Sequence, residues 1–145
     1  RAKPKPTPET QHFWDGTKEG ELRLQRCDAC GHVYFPPRPF CPSCASRKVS
    51  VFKASGKGTL YSYVINHRPA APGFTPPYAI AVVELDEGPR LLAATTTPPG
   101  EIRIGQRHAV RTEALSENFV LVWADPASHD EPTSMAPRAR GNPHD

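Results

Sequence analysis

CDACGHVYFPPRPFCPSC, residues 27–44, holds all four cysteines of the chain in two identical C-x-x-C pairs, Cys27/Cys30 and Cys41/Cys44, with ten residues between them. A two-residue gap lets a backbone turn aim two thiolates at one ion, and two such knuckles complete a tetrahedral set at metal–sulfur distances near ~2.3 Å. Gly31 after the first knuckle and Pro42 inside the second are the turn formers this needs, and residues 33–35 (VYF) read as the strand between them. Disulfides are the rival chemistry, but the N-terminus carries no apolar export segment, so the thiols are expected in a reducing compartment. A redox C-x-x-C is a weaker reading, because no thioredoxin-like βαβ pattern surrounds either pair. Zinc is the expected ion, and iron also suits a four-sulfur cage. Four thiolates close the coordination sphere, so the metal is read as structural. His32 beside the cage is either a substitute ligand or, more commonly for such a neighbour, a surface side chain.

Outward from the cysteines, the chain divides into five stretches. Residues 1–9 (RAKPKPTPE) form a basic, Pro-rich linker; 10–26 supply a short helix and a lead-in strand; 27–47 form the metal ribbon; 48–123 form a small β-barrel; and 124–145 hold almost nothing apolar and are expected to be a disordered tail. The helix is expected to start from Thr7 with Pro8 at its first position, and to break near Gly16. Phe13 and Trp14 would anchor it to the body. Residues 48–53, 59–65, 79–85, 90–95, 108–112 and 119–123 are short β-rich runs, with Asp86-Glu87-Gly88-Pro89 as a hairpin connection. Five or six such strands predict a mainly β fold, a barrel or sandwich, with Val82, Val83, Leu91 and Leu92 in its core.

Composition restricts the function. Lys plus Arg exceed Asp plus Glu by only three (18 against 15), which does not by itself demand a nucleic acid or another polyanion. The longest apolar run, residues 79–83, is far short of the ~20 residues of a membrane helix, so a cytoplasmic protein with no membrane partner is expected. The chain starts at Arg1 and its only methionine is Met135, as expected for one domain cut from a longer polypeptide.

Other chemistry is sparse. There is no G-x-S-x-G elbow, P-loop or dinucleotide fingerprint, and with four thiols on a metal no cysteine is left as an acyl carrier. Gly56-Lys57-Gly58 reads as a turn or bulge before a strand, with phosphate contact as the lesser alternative. His67 and Arg68 end one strand near Tyr61 and Tyr63. They are candidates for holding an anionic cofactor such as a CoA phosphate, or for a solvated rim. Arg38, Arg103 and Arg107 are further basic candidates. Residues 69–77 (PAAPGFTPP) carry four prolines and cannot join a ladder, so Phe74 there is either a contact element or part of a plain connecting loop. Tyr61, Tyr63, Tyr78 and Phe74 also keep open single-stranded nucleic-acid stacking. An independent enzyme using His67 and Tyr63 as acid and base is a third possibility.

Phe13-Trp14-Asp15-Gly16, Leu24-Gln25-Arg26-Cys27-x-x-Cys30-Gly31 and Phe35-Pro36-Pro37-Arg38-Pro39-x-Cys41-Pro42-x-Cys44 resemble a family that couples a rubredoxin-like zinc ribbon to an OB-fold, catalogued as domain of unknown function thirty-five. Gly56-x-Gly58-Thr59-x-Tyr61-Ser62-Tyr63, His67-Arg68-Pro69, Pro77-Tyr78, residues 84–91 and Ile104-Gly105 extend the resemblance to Trp123. It implies a zinc site of Cys27, Cys30, Cys41 and Cys44, and no catalytic residue of the chain's own. It also implies an accessory subunit of a thiolase-fold enzyme acting on acyl-CoA thioesters: a thiolase, a hydroxymethylglutaryl-CoA synthase or a lipid-transfer-protein-like steroid side-chain aldolase. In that last group the domain follows a MaoC-like hydratase, and the CoA thioester is held mainly by the partner. Phe35, Phe40, Phe74 and Tyr78 are the residues expected to meet the partner.

Overall fold

A computed structural model describes residues 4–116 and 119–126, with 114–116 and 119–123 described by their backbone alone. Helix α1 spans Gln11–Lys18. Strands β1 (Arg23–Cys27), β2 (Val33–Tyr34) and β3 (Val49–Lys53) make a three-stranded antiparallel sheet in the order β2-β1-β3. β4 (Lys57–Asn66), β5 (Tyr78–Leu85), β6 (Arg90–Ala94), β7 (Arg107–Ser116) and β8 (Phe119–Pro126) close into a barrel in the order β4-β5-β6-β8-β7. The chain is therefore mainly β, as its short strands and turn residues predict.

The helix starts later than the Thr7–Pro8 signal implies. Thr7 and Thr10 build a turn of their own, with the Thr10 amide donating to the Thr7 carbonyl at 3.0 Å, and Thr10 occupies the cap position. Gly16 does not break the helix. A Cβ there would lie 2.7 Å from the Arg23 side chain, so glycine leaves room for Arg23 to cross the helix and pair with Glu19 and Glu21. The helix stops at Gly20 (φ 75°), where the Glu21 and Gly20 amides reach back to the Gly16 and Thr17 carbonyls in a Schellman arrangement.

Residues 49–53 belong to the ribbon sheet and not to the barrel. β3 pairs with β1 from Arg23↔Lys53 to Cys27↔Val49, and the Ala54 amide extends that ladder to the Leu22 carbonyl. Leu22, Leu24 and Phe13 bury into the same hydrophobic cluster as the barrel residues Leu60, Val83, Leu85 and Leu91, so ribbon and barrel share one core.

Within the barrel, only alternate residues turn inward. Val83 and Leu91 are buried, as expected. Val82 is only half-buried and Leu92 is 68% exposed, so the expectation that all four fill the core is corrected: adjacent strand residues point to opposite faces. β8 runs to Pro126 with Ala124 buried, three residues past the boundary drawn at Trp123; the proposed tail from residue 127 onward lies outside the described residues.

Two devices close the barrel. At Gly58 the strands approach so closely that a Cβ would sit 2.5 Å from the Glu84 carbonyl oxygen and 2.6 Å from Val83 Cγ1. This is why glycine stands there. At the seam, β6 and β8 share the parallel pairing Ala94↔Trp123, and Asp125 ties it. Its carboxylate accepts from the Thr96 amide (2.8 Å), the Thr96 hydroxyl (2.8 Å) and the Thr95 hydroxyl (3.2 Å), and it is ion-paired with Arg111. Burial raises its pKa, but the Thr96 amide and Arg111 outweigh this and hold it below the usual carboxylate range.

The buried His108 is the exception inside the barrel. Its Nε2 has no partner among the described residues, and its Nδ1 lies 3.4 Å from the Gln106 carbonyl. Desolvation lowers its pKa below the ordinary 6.5, against smaller opposing pulls from that carbonyl and Asp125. The unfolded histidine therefore takes up a proton that the folded one refuses. Stability should be full above pH 6.5 and fall as pH drops from 6.5 toward the lower folded value. His108→Leu should flatten that slope in urea titrations compared at pH 7.5 and 5.5. In the same assay Gly58→Ala should cost about 1–3 kcal/mol by overpacking, while Leu92→Ala should change stability by less than about 0.5 kcal/mol.

Candidate metal centre

The two knuckles repeat one backbone pattern. The Cys27 amide donates to the His32 carbonyl at 2.9 Å and the Gly31 amide to the Cys27 carbonyl at 2.9 Å; in the second knuckle Cys41 donates to Ser46 at 2.8 Å and Ala45 to Cys41 at 2.9 Å. Each ends on a left-handed residue, Gly31 (φ 76°) and Ala45 (φ 62°). Amides also point at the sulfurs, Cys30 N–H to Cys27 Sγ at 3.4 Å and Ser43 N–H to Cys41 Sγ at 3.3 Å.

All four sulfurs lie within 4.8 Å of one another, with Cys27–Cys44 at 3.6 Å and Cys30–Cys41 at 3.7 Å. A tetrahedron with metal–sulfur bonds of ~2.3 Å has edges of about 3.8 Å. The spacing therefore matches ligands around one ion, and it is much longer than the ~2.05 Å of a disulfide. The electrostatics agree. The Cys30 amide is the main reason that the Cys27 thiol falls to about 7. Cys30 is pushed up to about 12: the His32 amide pulls it down, but burial and the sulfurs of Cys44, Cys27 and Cys41 outweigh that pull. Four thiolates in this volume oppose one another's ionisation, and a bound divalent cation removes that opposition. The residues fit zinc. When bound, it would cross-link the ribbon, with no protein position left open for substrate. His32 is exposed and stacks on Tyr34 (centroids 6.0 Å apart), outside the ligand set.

The other expected site residues are dispersed over the surface. Phe35 is half-buried on Phe13 (5.3 Å between rings), and Phe40 is 41% exposed. Phe74 stacks on Tyr78 at 5.1 Å, and the Tyr78 hydroxyl accepts from Asn66 Nδ2 (3.1 Å) and the Ala70 amide (3.2 Å), pinning the proline loop. His67 and Arg68 are exposed. Tyr63 turns inward opposite Ala81 and packs on the core, while Tyr61 lies under Arg90, whose guanidinium carbon is 3.6 Å from the ring centroid. Of the other basic candidates, Arg107 is engaged by both Asp86 oxygens (2.8 and 2.9 Å), and Arg103 donates to the Gly100 and Ile102 carbonyls. Arg38 is exposed on an open groove of about 310 Å³ between the ribbon and the β5–β6 hairpin, lined also by Tyr34, Phe35 and Pro89. None of the described helices is long and apolar enough to cross a membrane.

Two family models match the chain: "ChsH2, rubredoxin-like zinc ribbon domain" over residues 14–50 and "ChsH2, C-terminal OB-fold domain" over residues 53–113. The chain belongs to the ChsH2 zinc-ribbon and OB-fold family of DUF35 proteins. Its sequence is 40% identical over 104 residues to the 3-oxo-4,17-pregnadiene-20-carboxyl-CoA hydratase alpha subunit of Mycobacterium tuberculosis, 71% of this chain and 33% of that protein. The chain thus spans about a third of the length of the hydratase alpha subunits it matches. It is 32% identical to the benzoylsuccinyl-CoA thiolase subunit BbsA of Thauera aromatica, covering 67% of each. Among solved structures, a chain of the Ltp2-ChsH2(DUF35) aldolase superposes with TM-score 0.79 at 33% identity, covering 87% of this chain and 100% of that one.

Removing one ligand should unfold the ribbon. Cys41→Ser should abolish stoichiometric metal, read by mass spectrometry, and remove the thiolate-to-cobalt charge-transfer bands of a cobalt-substituted sample. Ala45→Gly should retain full metal and gain up to about 1 kcal/mol, since glycine accepts the left-handed backbone without a Cβ penalty.

Proposed function

We propose that this chain is a non-catalytic accessory subunit, or domain of a larger one, that binds and stabilises a thiolase-fold aldolase. The pair would cleave a carbon–carbon bond of an acyl-CoA by retro-aldol chemistry, with a steroid side-chain acyl-CoA as the favoured substrate. The single observation carrying this reading is the superposition of 87% of this chain on the whole of a chain of the Ltp2-ChsH2 aldolase. The steroid preference rests on the name of the M. tuberculosis relative, and the length of that relative supports a parent chain in which a MaoC-like hydratase domain precedes this one. Zinc would be structural, and the CoA thioester would be held mainly by the partner. His67 and Arg68, exposed beside the proline loop, would meet the partner or the phosphates of CoA entering it.

A second reading, a scaffold for a thiolase or hydroxymethylglutaryl-CoA synthase, is favoured by the likeness to BbsA. Nucleic-acid binding is disfavoured by chemistry. OB-fold proteins that bind oligonucleotides use the outer face of the second and third strands, and here that face carries Ile80, Val82, Leu92 and Ala94. The rings and the cation at its two ends are already engaged, Phe74 with Tyr78 and Arg90 with Glu84 and Tyr61, whereas single-strand binding needs stacking rings and cations along the groove.

Co-expression with a thiolase-fold aldolase of the same organism should yield a stable complex. Cleavage of a β-hydroxy steroid acyl-CoA to a ketone and a shorter acyl-CoA should require both proteins. Equal turnover by the thiolase-fold protein alone would contradict the accessory role, and cleavage confined to β-keto thioesters would transfer support to the thiolase reading.

A further inference from the structure

The register of the barrel assembles an apolar surface that none of the described elements covers. Val64 pairs with Ile80 and Ile80 with Ala94, while Ser62 pairs with Val82 and Val82 with Leu92. The buried residues of β5 and β6 alternate with these, so all six share the outer face of β4, β5 and β6. Val64 is 55% exposed and Leu92 68%. The next row along is Asn66↔Tyr78, where the Phe74–Tyr78 stack continues the apolar strip into the pinned proline loop. At the opposite end Arg90 pairs with Glu84 at 3.3 Å and lies over Tyr61, which neutralises that boundary.

We infer that this face is where the thiolase-fold partner docks, by an apolar element flanked by carboxylates. The inference rests on the accessory-subunit reading above. Four observations select that occupant. The barrel is closed, so a partner gains no strand edge there and must pack side chain on side chain. The flanking sequence has little apolar surface to lay over it: residues 127–145 contain one large apolar side chain, Met135, and residues 1–8 none. Three strands ~4.8 Å apart and rows about 6.6 Å apart give the strip an area on the order of 300 Å². Two copies meeting through it alone would bury about 600 Å² in total, within the range of adventitious packing and well short of the ~1,600 Å² total of a stable interface. The occupant must therefore extend beyond the strip. The adjoining ordered surface is the proline loop, where Arg68 is exposed and the described residues supply no counter-charge, so a partner bearing carboxylates is complementary at that end.

The test measures affinity of the zinc-loaded full chain for a thiolase-fold aldolase of the same organism, without CoA. Leu92→Glu places a charge in the strip at a solvent-exposed position that does not threaten folding. Ile104→Glu is the control, equally exposed at 68% but in the turn before β7. Zinc content and urea midpoint confirm that each variant is folded. Leu92→Glu should weaken binding roughly 30-fold or more, Arg68→Glu should weaken it with a reduced salt dependence, and Ile104→Glu should stay within about twofold. Wild-type binding that survives Leu92→Glu and Val64→Glu unchanged would overturn the surface while leaving the accessory role standing. Failure of the wild-type chain to bind would overturn both. A homodimer abolished by Leu92→Glu, or a salt-dependent oligonucleotide complex abolished by it, would replace the proposed occupant.

Discussion

Four cysteine sulfurs within 4.8 Å of one another are the constraint on which the rest of the chain depends. The ribbon around them is too small to hold itself by burial: β2 has two residues, and both knuckles are mostly exposed. One ion held there would join the end of β1, through Cys27, to the far loop, through Cys41 and Cys44. Cys27 also pairs with Val49, so the cage fixes where β3 begins. From there the backbone runs directly into the barrel, and Phe13, Leu22 and Leu24 pack into the barrel's own cluster. Loss of the ion would therefore be felt beyond the ribbon. A closed four-thiolate centre serves this architectural purpose and leaves the barrel surface for recognition.

The barrel is set by equally local conditions. Gly58 allows β4 to approach Glu84, the Asp125 carboxylate gathers the Thr95–Thr96 turn and Arg111 at the β6–β8 seam, and the Tyr78 hydroxyl holds a loop that has few backbone donors to offer. Closure removes strand edges and leaves the outer face of β4–β6 as the apolar surface. Two of the cations the sequence presents as ligand candidates are spent internally, Arg107 on Asp86 and Arg103 on backbone carbonyls, while Arg38, His67 and Arg68 stay exposed.

The metal ligands and strand positions were legible in the sequence because both are local signals: two-residue cysteine gaps, and β-rich runs bounded by Gly, Pro and acidic turns. What depends on pairing was not. Residues 49–53 look like any barrel strand until β1 claims them, and Leu91 and Leu92 look equally apolar until register turns one inward and one out. Strict alternation along the strand is what separates that pair. Neither the Asp125 clasp nor the burial of His108 has a local signature, since each arises from strands brought together across the barrel. Phe74 and Tyr78 were singled out as contact residues, but their mutual stacking and the anchoring role of the Tyr78 hydroxyl required the folded loop.

Hydroxyl-radical footprinting of the zinc-loaded chain, alone and mixed with the thiolase-fold aldolase proposed as its partner, tests the account most directly, because it reads side-chain exposure in solution. The account predicts that Val64, Leu92 and Phe74 lose labelling in the complex while Val51 and Ile104 keep theirs. Unchanged labelling of Val64 and Leu92, with protection confined to Phe40, Val51 or Ile104, would contradict it.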